Sequence, residues 1–416
     1  AQLANYHRSL SDVSITPGTW QGSAYAAAIP ANAVGIDPKT GKNYVDEWMP
    51  DVWFQYLLWL TEYNTQFPTW TRFRNSFSKS SLSTLTNFTV TMAQQQTSAT
   101  NLAPTQVYTA LVQTNSLEGL QYAQNLNTIN FTVNSNVSEQ VYGGDIQSKL
   151  WDISALSKIN SLTSVRFLST SIQDVSALRS NDHLANIELS FNQISDISGF
   201  QSDWIKSQPA PNPNDNRIGS SRYNGISMPL LVLKPGTTSV EVSYNVKEYD
   251  GSLVHMYPSD GSDFSTDYPE TYEMYKASTA DAVSENDQTI VFYNFKTPPA
   301  GDVGWLSAGY VFWEDGYPKD PSAFDVWVSI PYIISDDYGT TKVNYENLLT
   351  NGQQEEVATS TPLSGSVGDT YDISSDSNTT YPLEWLIDKY GSNYLVLNGT
   401  GNYSDYLANN GLAQAD

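Results

Sequence analysis

The chain contains no cysteine. Disulfides, thiolate catalysis and cysteine zinc sites are therefore excluded. Histidine is scarce. His7, His183 and His255 lie far apart, and none has a metal-ligand spacing. Basic residues are few: 20 Lys and Arg face 44 Asp and Glu, a formal net charge of −24. Such a chain repels nucleic-acid phosphates and anionic membrane surfaces. No apolar run approaches the roughly 20 residues needed to cross a bilayer, so no membrane insertion is expected. Ala26-Ala-Ala-Ile29 is short and lacks a basic leader, so it is not read as a signal peptide. Catalytic motifs are missing too. No Gly-x-Ser-x-Gly, phosphate loop or His-Glu-x-x-His occurs. The sequence thus points to no enzyme, no catalytic residue and no cofactor. What is plentiful is aromatic side chains, at 12% of residues, enough for large cores without disulfide support.

What organises the chain is a repeat. Leu150-Trp-Asp-Ile-Ser-Ala-Leu156 recurs as Ile172-Gln-Asp-Val-Ser-Ala-Leu178 and as Ile194-Ser-Asp-Ile-Ser-Gly-Phe200. The step is 22 residues, from Asp152 to Asp174 to Asp196. Leu162-Thr-Ser-Val165-Arg-Phe167 returns at the same step as Leu184-Ala-Asn-Ile187-Glu-Leu189, followed by Asn192 and Ile194. This is the leucine-rich-repeat pattern, whose periods run roughly 20–29 residues. Alternation along a strand sends Val165, Phe167, Ile187 and Leu189 into the coil. Ser164, Arg166, Leu168, Asn186, Glu188 and Ser190 then point out. Asn192 is expected to turn its amide inward onto backbone groups freed by the turn, with Thr170 in that place one coil earlier. A first coil starts at Gly119, with Leu126, Ile129 and Phe131 as apolar positions. Leu126 to Leu162 is 36 residues, 14 more than one period. The surplus near Ser135 to Ser148 is read as an inserted loop, with a degenerate extra coil as the alternative.

Gly119-Leu-Gln-Tyr, then Asn125-Leu, then Ile129-Asn-Phe with Asn134 resembles the first repeat of the internalins, leucine-rich-repeat surface proteins of Gram-positive bacteria. The 22-residue period and Asp-Ile-Ser-Ala-Leu are similar as well. Met49-Pro-Asp-Val-Trp-Phe-Gln-Tyr-Leu-Leu resembles the helical cap that precedes internalin repeats. The resemblance covers roughly Trp48 to Phe200, with about four coils and an unmatched stretch from Thr61 to Ser116. It implies an extracellular protein attached to the cell wall, with an immunoglobulin-like sandwich after the repeats.

In chain order, residues 1–45 read as an irregular arm packed on the cap. Val45 to Tyr63 fits one helix, capped by Asp46 or Asp51. Its aromatics are read as core, with a sugar-binding shelf as the alternative. Another helix is expected from Ala103 to Gln113. Gln201 to Tyr223 reads as an edge and linker, broken by Pro209-Ala-Pro-Asn-Pro. From Ile226 the period becomes two. Val240, Val242, Tyr244 and Val246 alternate with polar residues, as do Phe324, Val326, Val328 and Ile330. Strands are also expected at Thr289–Phe295 and Gly309–Trp313. This predicts an antiparallel β-sandwich. Further on, Gly365-Ser-Val-Gly-Asp-Thr-Tyr371 and Gly399-Thr-Gly-Asn-Tyr403 resemble the mucin-binding (MucBP) repeat of lactic-acid bacteria, although its final Val-x-Tyr strand is missing. The expected fold is multidomain. A cap (1–115) and a short leucine-rich-repeat solenoid (116–225) precede an all-β immunoglobulin-like sandwich (226–340) and a small β-rich MucBP-like domain (341–416).

The candidate binding surface is the concave face of the repeats. Asn130, Arg166 and Glu188 stack in one column, flanked by Ser164 and Asn186 on one side and Leu168 and Ser190 on the other. The bland alternative is a row of merely solvated strand residues. Trp327 is a second candidate, as an aromatic shelf or an interdomain contact. Asp260, Asp263 and Asp267 are a weak set of calcium ligands without the spacing of an EF-hand loop, and a solvated turn is the simpler account. The expected function is a monomeric adhesin for a host glycoprotein such as mucin, or for a surface protein. A structural stalk and a glycan-processing enzyme are the alternatives.

Overall fold

The computed structural model describes residues 6–9, 24–144, 146–181, 183–199, 218–228, 230–259, 276–310 and 324–336, and four short strands between 340 and 364. The expected MucBP-like phrases lie outside the described residues.

The chain begins with strand β1 (Tyr6–Ser9) and helix α1 (Ala24–Ala28). The buried ammonium of Lys79 donates to the carbonyls of Ala26 and Ile29 and so ties α1 to the cap. The single helix expected over Val45 to Tyr63 is split. Helix α2 (Tyr44–Trp48) stops because Pro50 forces Met49 out of the helical region, to φ −133° and ψ 75°. Helix α3 (Val52–Leu58) then starts afresh, with Asp51 accepting from the backbone of Phe54 at 3.2 Å. It runs into a π-helical turn, Trp59–Tyr63. Helix α4 (Trp70–Ser76) completes an aromatic core in which Trp48, Phe54, Phe73 and Phe77 are fully buried.

The stretch from Thr61 to Ser116 holds an unforeseen start to the repeat sheet. Strand β2 (Asn87–Thr89) pairs in parallel with β5 (Thr128–Thr132), Phe88 opposite Ile129. Between them lie α5 (Met92–Gln95), the small hairpin β3 (Gln96–Ser98) and β4 (Asn101–Pro104), and α6 (Gln106–Gln113). Helix α6 begins three residues later than expected because Pro104 precedes Thr105, which caps it. Next come α7 (Ser135–Tyr142), β6 (Ser164–Leu168), α8 (Ser176–Arg179) and β7 (Asn186–Glu188). Strands β5 and β6 pair directly, Phe131 opposite Phe167, so the surplus residues form no extra coil. They fold as α7, with Asn134 as its N-cap and Gly143 at its end.

The register follows the expected alternation. Val165, Phe167, Ile187 and Leu189 are buried, and Arg166 is exposed. Asn192 is fully buried. Its amide donates to the carbonyls of Phe167 (3.0 Å) and Leu189 (2.7 Å) and accepts from Thr170. On the return path, Asp152, Asp174 and Asp196 each accept from the backbone two residues on, at 3.0, 2.7 and 2.9 Å. The repeated phrase is therefore a repeated turn.

The solenoid sheet does not end with the repeats. Strand β8 (Ile218–Ser227) pairs with β7 along one edge and with β15 (Phe324–Ile334) along the other, both in parallel. Residues 218–223, expected in a linker, thus belong to a strand, and the expected boundary at 225 falls inside it. The remaining strands are β9 (Leu231–Leu233), β10 (Ser239–Ser243), β11 (Tyr257–Pro258), β12 (Asp281–Asn286), β13 (Thr289–Tyr293) and β14 (Gly304–Tyr310). One sheet runs β11-β14-β15-β8-β7-β6-β5-β2, with β9 beside β15. The other runs β1-β10-β13-β12. The second half is therefore mixed rather than antiparallel: β8 and β9 lie parallel to β15, and β1 lies parallel to β10. Tyr6–Ser9 stands beside β10, not in an irregular arm on the cap. The buried residues of both sheets form one continuous apolar core with the repeats and the cap.

Candidate functional site

The outward residues of the parallel sheet line up as its register dictates. Thr89, Asn130, Arg166, Glu188 and Ser220 are consecutive partners across five strands. Asn87, Thr128, Ser164 and Asn186 form the neighbouring column. Asn87 and Ser220 extend the predicted face at both ends. The Asn87-Phe-Thr-Val90 alternation, with Phe88 and Val90 buried, is the sequence signal for the first. Nothing local marks Ser220.

Local side-chain bonds fix several residues of this surface. The Asn130 carbonyl oxygen accepts from the Thr132 hydroxyl at 2.7 Å. Glu188 accepts from the backbone and hydroxyl of Ser190 at 3.2 and 2.5 Å. The Arg166 side chain is exposed and makes no hydrogen bond or ion pair with the described residues, although Glu188 is its cross-strand partner. Asn186 is exposed, while Asn130, Ser164 and Leu168 are half-buried. The structure therefore gathers Asn130, Ser164, Arg166, Leu168, Asn186 and Glu188 on one face. Ser190 is the exception. It is buried, because its hydroxyl closes on Glu188 and accepts from the backbone of Arg222.

A second group at the end of this face escaped the sequence reading. Ser169, Phe191 and Tyr223 have φ of 59°, 61° and 56°, each one residue before the inward Thr170, Asn192 or Asn224. The left-handed turn belongs to the coil. Asn or Gly would enter it more easily, and each bulky residue costs about 1 kcal/mol. Phe191 and Tyr223 offset this in part by stacking, with centroids 4.7 Å apart and planes at 13°. Asn224 repeats the inward amide of Asn192: it donates to the Ser221 carbonyl and accepts from the backbone of Ile194, both at 3.0 Å.

Trp327 offers no shelf. It is buried in β15, a strand flanked on both sides and buried on both faces. Its ring lies over Gly309, where a Cβ would sit 3.2 Å away. Asp260, Asp263 and Asp267 lie outside the described residues. Among the described residues no three acids or histidines form a metal cluster. His255 instead contacts Asp287 at 2.5 Å. No helix of the described residues is long and apolar enough to cross a membrane.

Buried acids line the seam between cap and repeats. Asp51 accepts from the backbone of Asn115 (2.6 Å) and Ser116 (3.0 Å), and the Ser116 hydroxyl donates to Asp152 at 2.7 Å. Burial raises the Asp51 carboxyl from 3.8 to about 6, against the pull of these bonds. Burial also raises Asp152, and it holds Glu118 well above the usual carboxylate range. Gly119, the first residue of the internalin-like phrase, has φ 97°, and a Cβ there would meet Met49 at 2.7 Å. The phrase thus marks where the cap docks.

No family model matches the chain, and no curated protein matches it. Among solved structures, the functional domain of InlJ from Listeria monocytogenes, described as including a cysteine ladder, is similar at 14% identity and a TM-score of 0.32. The match covers 52% of this chain and 37% of that one, so the chain spans little more than a third of that structure's length. A cysteine ladder has no counterpart in a chain without cysteine.

Proposed function

We propose that this chain is an extracellular adhesin of the internalin-like, leucine-rich-repeat kind, displayed on a Gram-positive cell wall. Its cap, repeats and immunoglobulin-like part present the open face of the parallel sheet to a host glycoprotein of mucin type or to a protein ligand. A MucBP-like region follows in the sequence. The observation that carries this reading is Arg166. An exposed guanidinium with no partner among the described residues sits mid-sheet among amides and hydroxyls, in a chain with a net charge of −24. Arginine is the side chain best suited to paired hydrogen bonds with carboxylate or sulfate.

The test is capture on immobilised mucin by surface plasmon resonance. Arg166→Glu is expected to weaken capture at least about tenfold, a change of ~1.4 kcal/mol, with the melting temperature unchanged. Long-range repulsion between two anionic partners adds a second signature. Capture is expected to strengthen at pH 4–5, where carboxylates begin to protonate. Moderate salt at pH 7 has the same effect by shortening the reach of repulsion to ~8 Å. Capture that peaks at pH 7 and falls steeply with salt would sink the proposal.

A second reading is a rigid stalk that projects a binding tip elsewhere. The shared strand β8 favours it, since it joins the two halves without a linker between their sheets. Absence of capture by the intact chain, across mucin and a glycan array, supports the stalk. Cleavage of an arrayed glycan supports an enzyme instead.

A further inference from the structure

The cap carries a row of half-buried aromatic rings packed on the edge of its core. Helix α3 buries Phe54, Leu57 and Leu58 completely on one side. On another side Trp53, Tyr56 and Trp59 follow one another at steps of three, and all stay half-buried. Trp70, at the start of α4, joins them. Tyr56 stacks on Trp59 with centroids 5.7 Å apart and meets Trp70 edge-on at 5.2 Å. Trp53 touches Tyr56 at 6.3 Å. Three indoles and a phenol thus form one connected, partly open ridge. Clustered apolar surface of this kind marks a binding site more often than isolated exposed residues do.

Two features show that the ridge is preformed. The π-helical turn begins at Trp59, and such turns are rare and concentrate at functional sites. The Trp59 indole N–H donates to the Phe67 carbonyl at 2.7 Å, which fixes its ring. The other polar ring atoms are left over. The indole N–H of Trp53 is buried without a hydrogen-bond partner. The Tyr56 hydroxyl and the Trp70 indole N–H bond to none of the described residues. The Trp53 N–H lies beneath the surface, so the ridge combines fixed ring surface with the Tyr56 O–H and the Trp70 N–H at its rim.

We propose that this ridge is a binding site for a neutral pyranose oligosaccharide. A pyranose offers C–H groups on a flat face and hydroxyls on its rim. The first match the ring surfaces, and the second match the Tyr56 phenol and the Trp70 indole N–H. A wholly apolar partner would leave those polar groups desolvated and unpaired. The net charge of −24 disfavours an acidic sugar at long range. The ridge is distinct from the open face around Arg166 and does not depend on its role.

Isothermal titration calorimetry on the whole chain tests this, with chitotriose, cellotriose and maltotriose as probes and sialyllactose as the anionic comparison. Saturable binding of at least one neutral trisaccharide is expected, in the range of roughly 0.1–1 mM. In the Arg166→Glu chain, which removes the anion-binding face, sialyllactose should bind at least about tenfold more weakly than the best neutral probe. Trp70→Ala should weaken the best probe about tenfold or more. Tyr56→Phe keeps the ring and its packing, so it should fold normally and lose a smaller part of the affinity. Arg166→Glu should leave sugar binding unchanged, which separates this site from the mucin proposal. No saturable heat with any neutral probe up to about 20 mM would overturn the assignment. So would binding undiminished in both ridge variants, or sialyllactose as the tightest ligand of the Arg166→Glu chain.

Discussion

At the scale of single residues, the repeat strands separate packing from surface by one position. Phe167 is fully buried against Phe131 across the coil interface, with ring centroids 6.2 Å apart. Phe167→Ala removes a ring that stacked coils cannot collapse around, and is expected to cost about 3–5 kcal/mol in a denaturant titration. Arg166→Ala, next in sequence, should stay within about 0.5 kcal/mol of neutral. Equal losses would contradict the register. This alternation was legible in the sequence because solenoid strands bury one face only. It misled at Trp327 for the opposite reason. Strand β15 has neighbours along both edges and is covered on both faces, so a residue on the polar-looking side is buried too. Ser190 misled because a short hydroxyl bonded to Glu188 sinks beneath its neighbour.

At the scale of elements, the periodic phrases marked the coils and a helical segment before them, but not the contacts between the two. The seam is built from Asp51, Ser116 and Asp152, whose roles no local pattern announces. It has a consequence for pH. The Asp51 carboxyl titrates near 3.8 when unfolded and at about 6 when folded, so the folded chain binds this proton more tightly. Stability from this group is therefore greatest below about 4 and falls as pH rises through 6, by about 3 kcal/mol in all. Asp152 and Glu118 shift in the same direction. Melting temperatures should thus be higher at pH 5 than at pH 7.5. In Asp51→Asn the slope between pH 4 and 6 should flatten, although its amide N–H groups now oppose those of Asn115 and Ser116. A melting temperature that rises from pH 5 to pH 7.5 would show that these acids are ionised without penalty.

At the scale of the whole molecule, the 22-residue step gave away the coils, while the join to the second half stayed hidden. The phrase Ile218-Gly-Ser-Ser-Arg-Tyr-Asn-Gly-Ile-Ser227 spans the end of the expected linker, with two glycines and few apolar residues. It is extended because β7 and β15 supply hydrogen bonds on both edges, and such context outweighs intrinsic preference. One sheet and one core then imply cooperative unfolding. Calorimetry should find the repeats and the second half melting in a single transition, and Phe167→Ala should lower it as a whole. Two separate transitions, only one of them moved by the substitution, would argue that β8 is not shared.

A shared strand also has a mechanical meaning. Two bodies joined by a linker can swivel under flow, and a force on one reaches the other only after the slack is taken up. Here the strand that ends the coils is also a strand of the next sheet, so no slack exists between them. Drag on the second half is delivered to the coils as torque, through a row of backbone hydrogen bonds between β8 and its two neighbours. The molecule behaves at this joint as a bracket rather than a tether, holding the open face at one angle to the second half.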